Sequence, residues 1–365
     1  MLVYIVLFIF LMILAGEYEL GFFKNEAFLM FIILLLGLFA GFRGAGTSRD
    51  YESYQIIFDN IYEIRSDDFG HFLPVLEPGF TGIVLIFRSL FKHNYILTIM
   101  LFYGLVTVSL KILSIKKISA NPYLVILFYY SQYYFLHEMT QIRIGLASAI
   151  LFIAVIFYLR GEKWVFTLFT IVAVFFHYSA ILYLLILFFN SRHFNKIVYS
   201  GIIGISIVFG ILQIPLLNYL GIFIPTNIPG RLANYAVMVE SGLAENINVF
   251  NVLNLLNIGV CLYFIIFISK ETLLSNKPLV LFLKCNIISI FFLSFLSGVP
   301  SIAFRVSELF GLMSIFVYAS LVNYLPFRKL NILIVILIAG IVFYSTVFHA
   351  GLIKPYYIAR FEAAY

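Results

Sequence analysis

Apolar runs close to the roughly 20 residues that cross a bilayer as a helix recur from one end of this chain to the other. They fall at residues 2–16, 27–42, 95–113, 122–136, 142–159, 197–217, 249–269, 279–297, 304–325 and 330–350. Of the 365 residues, 63% are hydrophobic and 11% charged, and mean hydropathy is +1.06. That is too little charge to cover a soluble surface. The sequence predicts an all-α polytopic transmembrane helix bundle, a single integral membrane domain over residues 1–365, with about 11–13 membrane segments, some short or re-entrant. Residues 79–91 are too short for a comfortable crossing and fit a re-entrant or tilted helix. Residues 164–189 are long for one span and short for two, with His177-Tyr178-Ser179 at their midpoint. Residues 1–16 lack a basic leader and a small-residue cleavage site and are kept as a span. Cys261 and Cys285 lie in apolar helices, which favours packing over a disulfide framework.

Lys and Arg in short loops mark the cytoplasmic side. On that rule the links holding Lys111, Lys116 and Lys117, then Arg160 and Lys163, Arg192 and Lys196, Lys270 and Lys277, and Arg328 and Lys329 are inside. The net charge of +6 thus reports topology before any nucleic-acid partner. With Arg160 and Arg192 both inside, residues 164–189 go out and return, placing His177 at an outward hairpin tip. Residues 43–78 become an external loop with a surface helix, residues 218–248 a second external loop, and the amino terminus is outside. The link 17–26 becomes cytoplasmic with Lys24 as its only basic residue.

On this topology Arg43, Arg49, Asp50, Glu77, His137, Glu138, Gln141, Arg143, His177, Arg231, Arg305 and Glu308 all fall on the outer face or just inside it. None of them sets the topology, so the shared face is a functional signal; ionisable groups near hydrocarbon are costly unless water, a partner or a ligand accommodates them. Residues 137–143 read as a short polar link between two spans, at one membrane boundary. Tyr129, Tyr130, Tyr133 and Tyr134, which lead into it, read as an interfacial aromatic belt.

Each polar residue has a plain reading beside a chemical one. Asp50 caps the helix that Tyr51, Tyr54, Ile57, Phe58 and Ile61 predict by their spacing, or serves in catalysis. Glu77 caps the segment opened by Pro78, or acts as a general base with a pKa raised by partial burial. Arg143 begins a helix whose small residues Gly145, Ala147, Ser148 and Ala149 allow close packing; it reaches lipid headgroups or captures a phosphate. His177 is a structural donor or a catalyst. Arg305 and Glu308 pair with each other or face a ligand. Asn248, Asn251, Asn254 and Asn257 form a polar stripe suited to interhelical hydrogen bonds, with sugar contact second. There is no P-loop, dinucleotide fingerprint, Cys/His zinc spacing or Gly-x-Ser-x-Gly elbow.

The ordered set Phe42-Arg43 to Gly46, Asp50-Tyr51 with Tyr54, Glu77-Pro78-Gly79-Phe80, Gln141-Ile142-Arg143 with Leu146-Ala147, His177 with Ser179-Ala180, and Arg305 resembles the EpsG family of Wzy-type bacterial polysaccharide polymerases. Thr47-Ser48-Arg49 make the link before Asp50 longer than the family usually has. The resemblance implies an architecture similar to the multispan, polyprenyl-dependent glycosyltransferases, in the bacterial cytoplasmic membrane with the active site external. It implies polymerisation of undecaprenyl-diphosphate-linked repeat units of an O-antigen, capsule or exopolysaccharide, with that lipid-linked oligosaccharide as donor and acceptor and a chain-length regulator as protein partner. Within it, Arg143 and Arg305, assisted by Arg231 or Arg43, would meet the diphosphate. Asp50, Glu77 and His177 are the candidate catalytic bases, and Tyr51, Tyr54, His137, Glu138, Gln141 and Glu308 would position sugar. Arginines can do the electrostatic work of a divalent ion, so no metal or cofactor is expected. The competing functions are a lipid-linked oligosaccharide flippase or other transporter, an O-antigen ligase, and a membrane acyltransferase using His177.

Overall fold

The computed structural model describes residues 1–22, 27–63, 76–213, 247–298 and 300–359. Lys24, Arg231 and most of the 218–248 loop lie outside the described residues. Among these, every regular element is helical, and the only β contacts are isolated bridges, Arg43 with Ile358 and Ser48 with Ile353. In order the helices are α1 (Leu2–Leu20), α2 (Ala27–Gly41), α3 (Tyr51–Glu63), α4 (Pro78–Phe91), α5 (Tyr95–Ile118) and α6 (Pro122–Tyr129), which continues as a π-helix (Tyr130–Thr140). Next come α7 (Ile142–Arg160), α8 (Lys163–Val174), a 3-10 helix (Tyr178–Phe188), α9 (Lys196–Leu212), α10 (Val252–Phe267) and α11 (Lys270–Ser275). The last are α12 (Lys277–Phe295), α13 (Pro300–Gly311), α14 (Ser314–Tyr324), α15 (Arg328–Tyr344) and a π-helical end (Ser345–His349).

Among the described residues five helices are long and apolar enough to cross a membrane: Leu2–Leu20, Tyr95–Ile118, Ile142–Arg160, Lys277–Phe295 and Leu330–His349. The pair Ile302–Gly311 and Ser314–Tyr324, bent by 42°, makes a sixth if taken as one span. The other apolar helices are shorter, so the larger segment number expected from the sequence depends on counting them. This is an all-α, multi-pass membrane bundle. Its packing resolves into two compact units, Met1–Leu184 with Tyr318–Tyr365, and Leu185–Val317.

In the first unit α2 and α5 run antiparallel through glycine. A Cβ on Gly104 would lie 2.6 Å from the Gly37 carbonyl oxygen, and one on Gly41 would lie 2.7 Å from the Leu101 Cα, the close approach that small residues permit between membrane helices. One end of the unit carries Lys116 and Lys117 in the last turn of α5. There the Asn121 amide donates to both Glu19 oxygens at 2.8 Å and accepts from Asn323 at 2.8 Å. At the opposite end residues 352–359 cross the loop after α2. The Gly44 N–H donates to the Tyr357 carbonyl (2.7 Å), Lys354 N–H to Thr47 (2.9 Å) and Ala359 N–H to Phe42 (2.8 Å). Tyr4 closes this end by donating to the Lys354 carbonyl at 2.9 Å.

The expected polar link at 137–143 is instead interior. The π-helix carries α6 on to Thr140, and the Gln141 N–H closes onto Leu136 O at 2.7 Å, the wider i−5 ladder of this helix type. His137 and Glu138 are enclosed, at 0% and 2% exposure. Their partner is Lys111, which the sequence places in a cytoplasmic link but which points inward from α5. Its Nζ donates to Glu138 Oε1 at 2.7 Å and lies 3.1 Å from His137 Nδ1. Tyr129 donates to the same carboxylate oxygen at 2.5 Å, and Ser148 Oγ lies 3.2 Å from the imidazole. Neither charge is tolerable alone in this setting; together they satisfy each other. The supposed aromatic belt is core: Tyr129, Tyr130, Tyr133 and Tyr134 are buried, with Tyr130 donating to the Tyr4 carbonyl and Tyr134 to the Leu36 carbonyl.

The hairpin expected at 164–189 is present. The 3-10 helix folds back along α8, so that the rings of Phe166 and Tyr183 stand 6.4 Å apart, and His177 sits in the turn between them. In the second unit α12 packs against α9, α10 and α13. Phe209 meets Phe291 and Phe295, and Phe292 stacks on Phe310. Cys261 and Cys285 are buried and free, and Asn286 donates to the Cys261 sulfur. The asparagine stripe is largely spent locally: Asn248 accepts from the Phe250 N–H, Asn251 caps α10 through the Asn254 N–H, and Asn254 donates to the Val249 carbonyl.

Replacing Lys111 by Met strands the Glu138 carboxylate, which is expected to cost about 3–5 kcal/mol and to lower the melting temperature of the purified protein. Combining Lys111→Met with Glu138→Gln removes both charges and is expected to recover most of that loss. Equal losses in the single and double variants would show that the pair is not what holds this interior together.

Candidate functional site

The site is built on Glu77. Pro78 opens α4, and Glu77 stands before it with extended backbone (φ −67°, ψ 133°), its side chain making no capping bond. The carboxylate turns instead to two distant segments. Arg143 Nη1, in the first turn of α7, donates to Oε2 at 2.7 Å; His177 Nδ1, at the hairpin tip, meets Oε1 at 3.1 Å. The hairpin reaches this position through Gly79, whose N–H donates to the Phe175 carbonyl at 2.9 Å. A Cβ at Gly79 would lie 2.8 Å from that oxygen, so glycine sets how closely the two segments approach.

Glu77 is 4% exposed. Burial pushes its carboxyl up, but the His177 hydrogen bond and the Arg143 charge outweigh burial and hold it at about 2, below its ordinary 4.5. This reverses the raised value expected from its place near an apolar segment. An ionised carboxylate only accepts, so the His177 proton is assigned to Nδ1, and in the neutral ring Nε2 carries the lone pair. Glu77 thereby orients the imidazole, and Nε2 is the nitrogen left to accept a hydrogen bond. Arg143 also hydrogen-bonds Tyr54, and its guanidinium lies 5.4 Å over the Phe80 ring. Phe80 is packed by Tyr54, Phe58 and Tyr103, with ring centroids 5.9–6.3 Å away. The helix α3 turns its apolar face into this cluster, and Arg88 of α4 holds it there through a 2.8 Å bond to Asp59.

Among the buried atoms with no hydrogen-bond partner among the described residues are Arg143 Nε, His177 Nε2, Ser179 Oγ and the Tyr103 hydroxyl. A lone pair on an imidazole, a guanidinium N–H and two hydroxyls, which can donate or accept, thus belong to residues around a fixed carboxylate. That arrangement can take a proton from a hydroxyl and hold an oxygen-rich anion.

The structure brings Asp50 near, with its carboxyl half-buried. Burial raises its pKa, opposed by Arg49 and Arg143. Its backbone carbonyl takes the first helical bond from Tyr54 at 3.0 Å. Tyr51 and Tyr54 are buried against the protein rather than offered as a stacking surface. Arg43 is 1% exposed; Nη1 donates to the Ala40 carbonyl and Nη2 lies 3.2 Å from the Met100 sulfur. It is enclosed by its own loop, with Nε left without a hydrogen-bond partner among the described residues. His137 and Glu138 belong to the Lys111 interior, which corrects their assignment to sugar positioning. Gln141 is half-buried and marks the break before α7, its carbonyl accepting from the Gly145 N–H at 2.9 Å. Arg305, exposed, and Glu308, half-buried, lie on α13 of the second unit. Arg231 lies outside the described residues. Sequence reasoning missed Tyr103, which lies inside an apolar run with nothing to distinguish it, and the pairing of Glu77 with His177 across 100 residues.

The sequence matches the EpsG family over residues 26–358. The chain belongs to the EpsG family. Its members are Wzy-type, glycosyltransferase-like proteins, and this EpsG-family chain is accordingly a membrane protein of the polysaccharide-polymerase type. Comparison with curated proteins and with solved structures gives no match.

A carboxyl depressed from 4.5 to about 2 contributes stability that is present above the unfolded value and is lost as pH falls through the folded one. The thermal stability of the native protein over Glu77→Gln is therefore expected to be constant above about pH 5 and to shrink below it. Melting curves across that range in one detergent check this, and a difference independent of pH would contradict it.

Proposed function

We propose that this EpsG-family protein polymerises lipid-linked glycan repeat units at the external face of the bacterial cytoplasmic membrane. The donor is a growing glycan on undecaprenyl diphosphate and the acceptor a new lipid-linked unit. What supports the reading is one observation: a buried carboxylate divided between an arginine and a histidine, which leaves His177 Nε2 as an oriented base beside Arg143.

In the step, the acceptor hydroxyl oxygen attacks the anomeric carbon of the donor and its proton passes to His177 Nε2. The bond from the anomeric carbon to the diphosphate oxygen breaks, and the electron pair leaves on the diphosphate. Glu77 stabilises the imidazolium that forms, as an orienting acid does in other His-based sites. Arg143, held rigid by Glu77, Tyr54 and Phe80, stabilises the growing charge on the leaving group, and such fixed donors are worth most where charge develops. Asp50 lies in electrostatic reach of Arg143 and serves as a second carboxylate for positioning the acceptor. External placement agrees with Lys116 and Lys117 lying at the opposite end of the unit.

His177→Ala and Arg143→Ala are each expected to lower the rate of polymerisation of a purified lipid-linked repeat unit by about 100-fold or more, with the protein still inserted at normal level. Normal chain length in both variants would overturn the assignment.

A further inference from the structure

We propose that the Tyr103 hydroxyl is a further ligand-binding group of this site, donating a hydrogen bond to a phosphate oxygen of the lipid diphosphate. The inference rests on the reading just given and adds to it a residue drawn from α5.

Tyr103 lies in the third turn of α5 and is 1% exposed. Its ring packs on Phe80 at 6.3 Å, and the guanidinium of Arg143 covers the same Phe80 ring at 5.4 Å. Tyrosine and arginine thus meet at one aromatic wall. The Tyr103 hydroxyl has no hydrogen-bond partner among the described residues, and neither has the Arg143 Nε–H. Both oxygens of the nearby Glu77 carboxylate are already engaged, one by Arg143 and one by His177. Two buried groups that can donate, each without a hydrogen-bond partner among the described residues, therefore belong to side chains packed on the same Phe80 ring.

A buried hydroxyl left unpaired is destabilising, and phenylalanine would fill the same volume without that cost. The tyrosines in contact with this region make the contrast plain. Tyr54 bonds Arg143, and elsewhere in the unit Tyr129, Tyr130 and Tyr134 each find an oxygen. Tyr103 departs from that pattern at the place where the site needs donors. A hydroxyl that can donate beside a guanidinium N–H suits an anion with several oxygens, which can accept from both at once.

The test uses the full chain in lipid nanodiscs, with undecaprenyl diphosphate as the probe. Tyr103→Phe is expected to weaken its binding roughly 10-fold or more, while the melting temperature without probe stays the same or rises. Stability and binding would thus move apart, which a merely structural hydroxyl would not cause. A fall in melting temperature, or unchanged binding, would overturn the inference. Arg143→Gln and Arg143→Lys are measured alongside. Loss of binding in Arg143→Gln, with part retained in Arg143→Lys, and normal binding in Tyr103→Phe, would remove Tyr103 and leave the diphosphate reading standing. Unchanged binding in all three would remove that reading itself.

Discussion

A carboxylate withdrawn from water must find positive or donating partners for its oxygens, and Glu77 finds them in segments 66 and 100 residues further along the chain. That requirement organises the site. It fixes the start of α7 against the start of α4, and it brings the tip of the 163–188 hairpin to the same point. Each partner is then committed in a particular way: Arg143 by one nitrogen, leaving Nε, and His177 by Nδ1, leaving Nε2. The chemistry available to a substrate is what this one anion leaves over. Removing a single partner of such a group exposes the rest to an unpaired buried charge, so the three residues act as a unit.

The class of fold was legible because apolar runs of bilayer length admit few alternatives. The hairpin followed from two basic residues, Arg160 and Arg192, needing the same side. Much of the site was legible too: Glu77, Arg143 and His177 were each singled out as costly groups in apolar surroundings. Their roles were not, because a pKa depends on neighbours, and nothing local to Glu77 tells of a histidine 100 residues away. Tyr103 shows the complementary failure. A tyrosine in a hydrophobic run reads as packing, and only its three-dimensional company separates it from the tyrosines that do pack.

Lys111 and the 137–143 segment failed for a shared physical reason. A lysine near the end of an apolar run resembles a loop lysine, and an acid and an imidazole near the end of the next resemble a boundary. In space they cancel each other in the interior, because α5 runs on to Ile118 and the π-helix carries α6 on to Thr140. Charge rules for topology count residues one at a time, whereas burial is decided in pairs. Arg43 teaches the same lesson in another form: its loop and a sulfur atom enclose it, so a guanidinium next to three glycines is no sign of an open site.

The pairing of residues 352–359 with the loop after α2 sets an order of events during synthesis. The Gly44 and Arg49 N–H groups and the Phe42 and Thr47 carbonyls reach their partners only in residues 352–359, which are made long after α2. Until the last helix has been inserted, the segment leading to Asp50 and α3 has no backbone to bind. That end of the first unit is therefore completed only once residues 352–359 have been made, although most of its chemical groups were made long before.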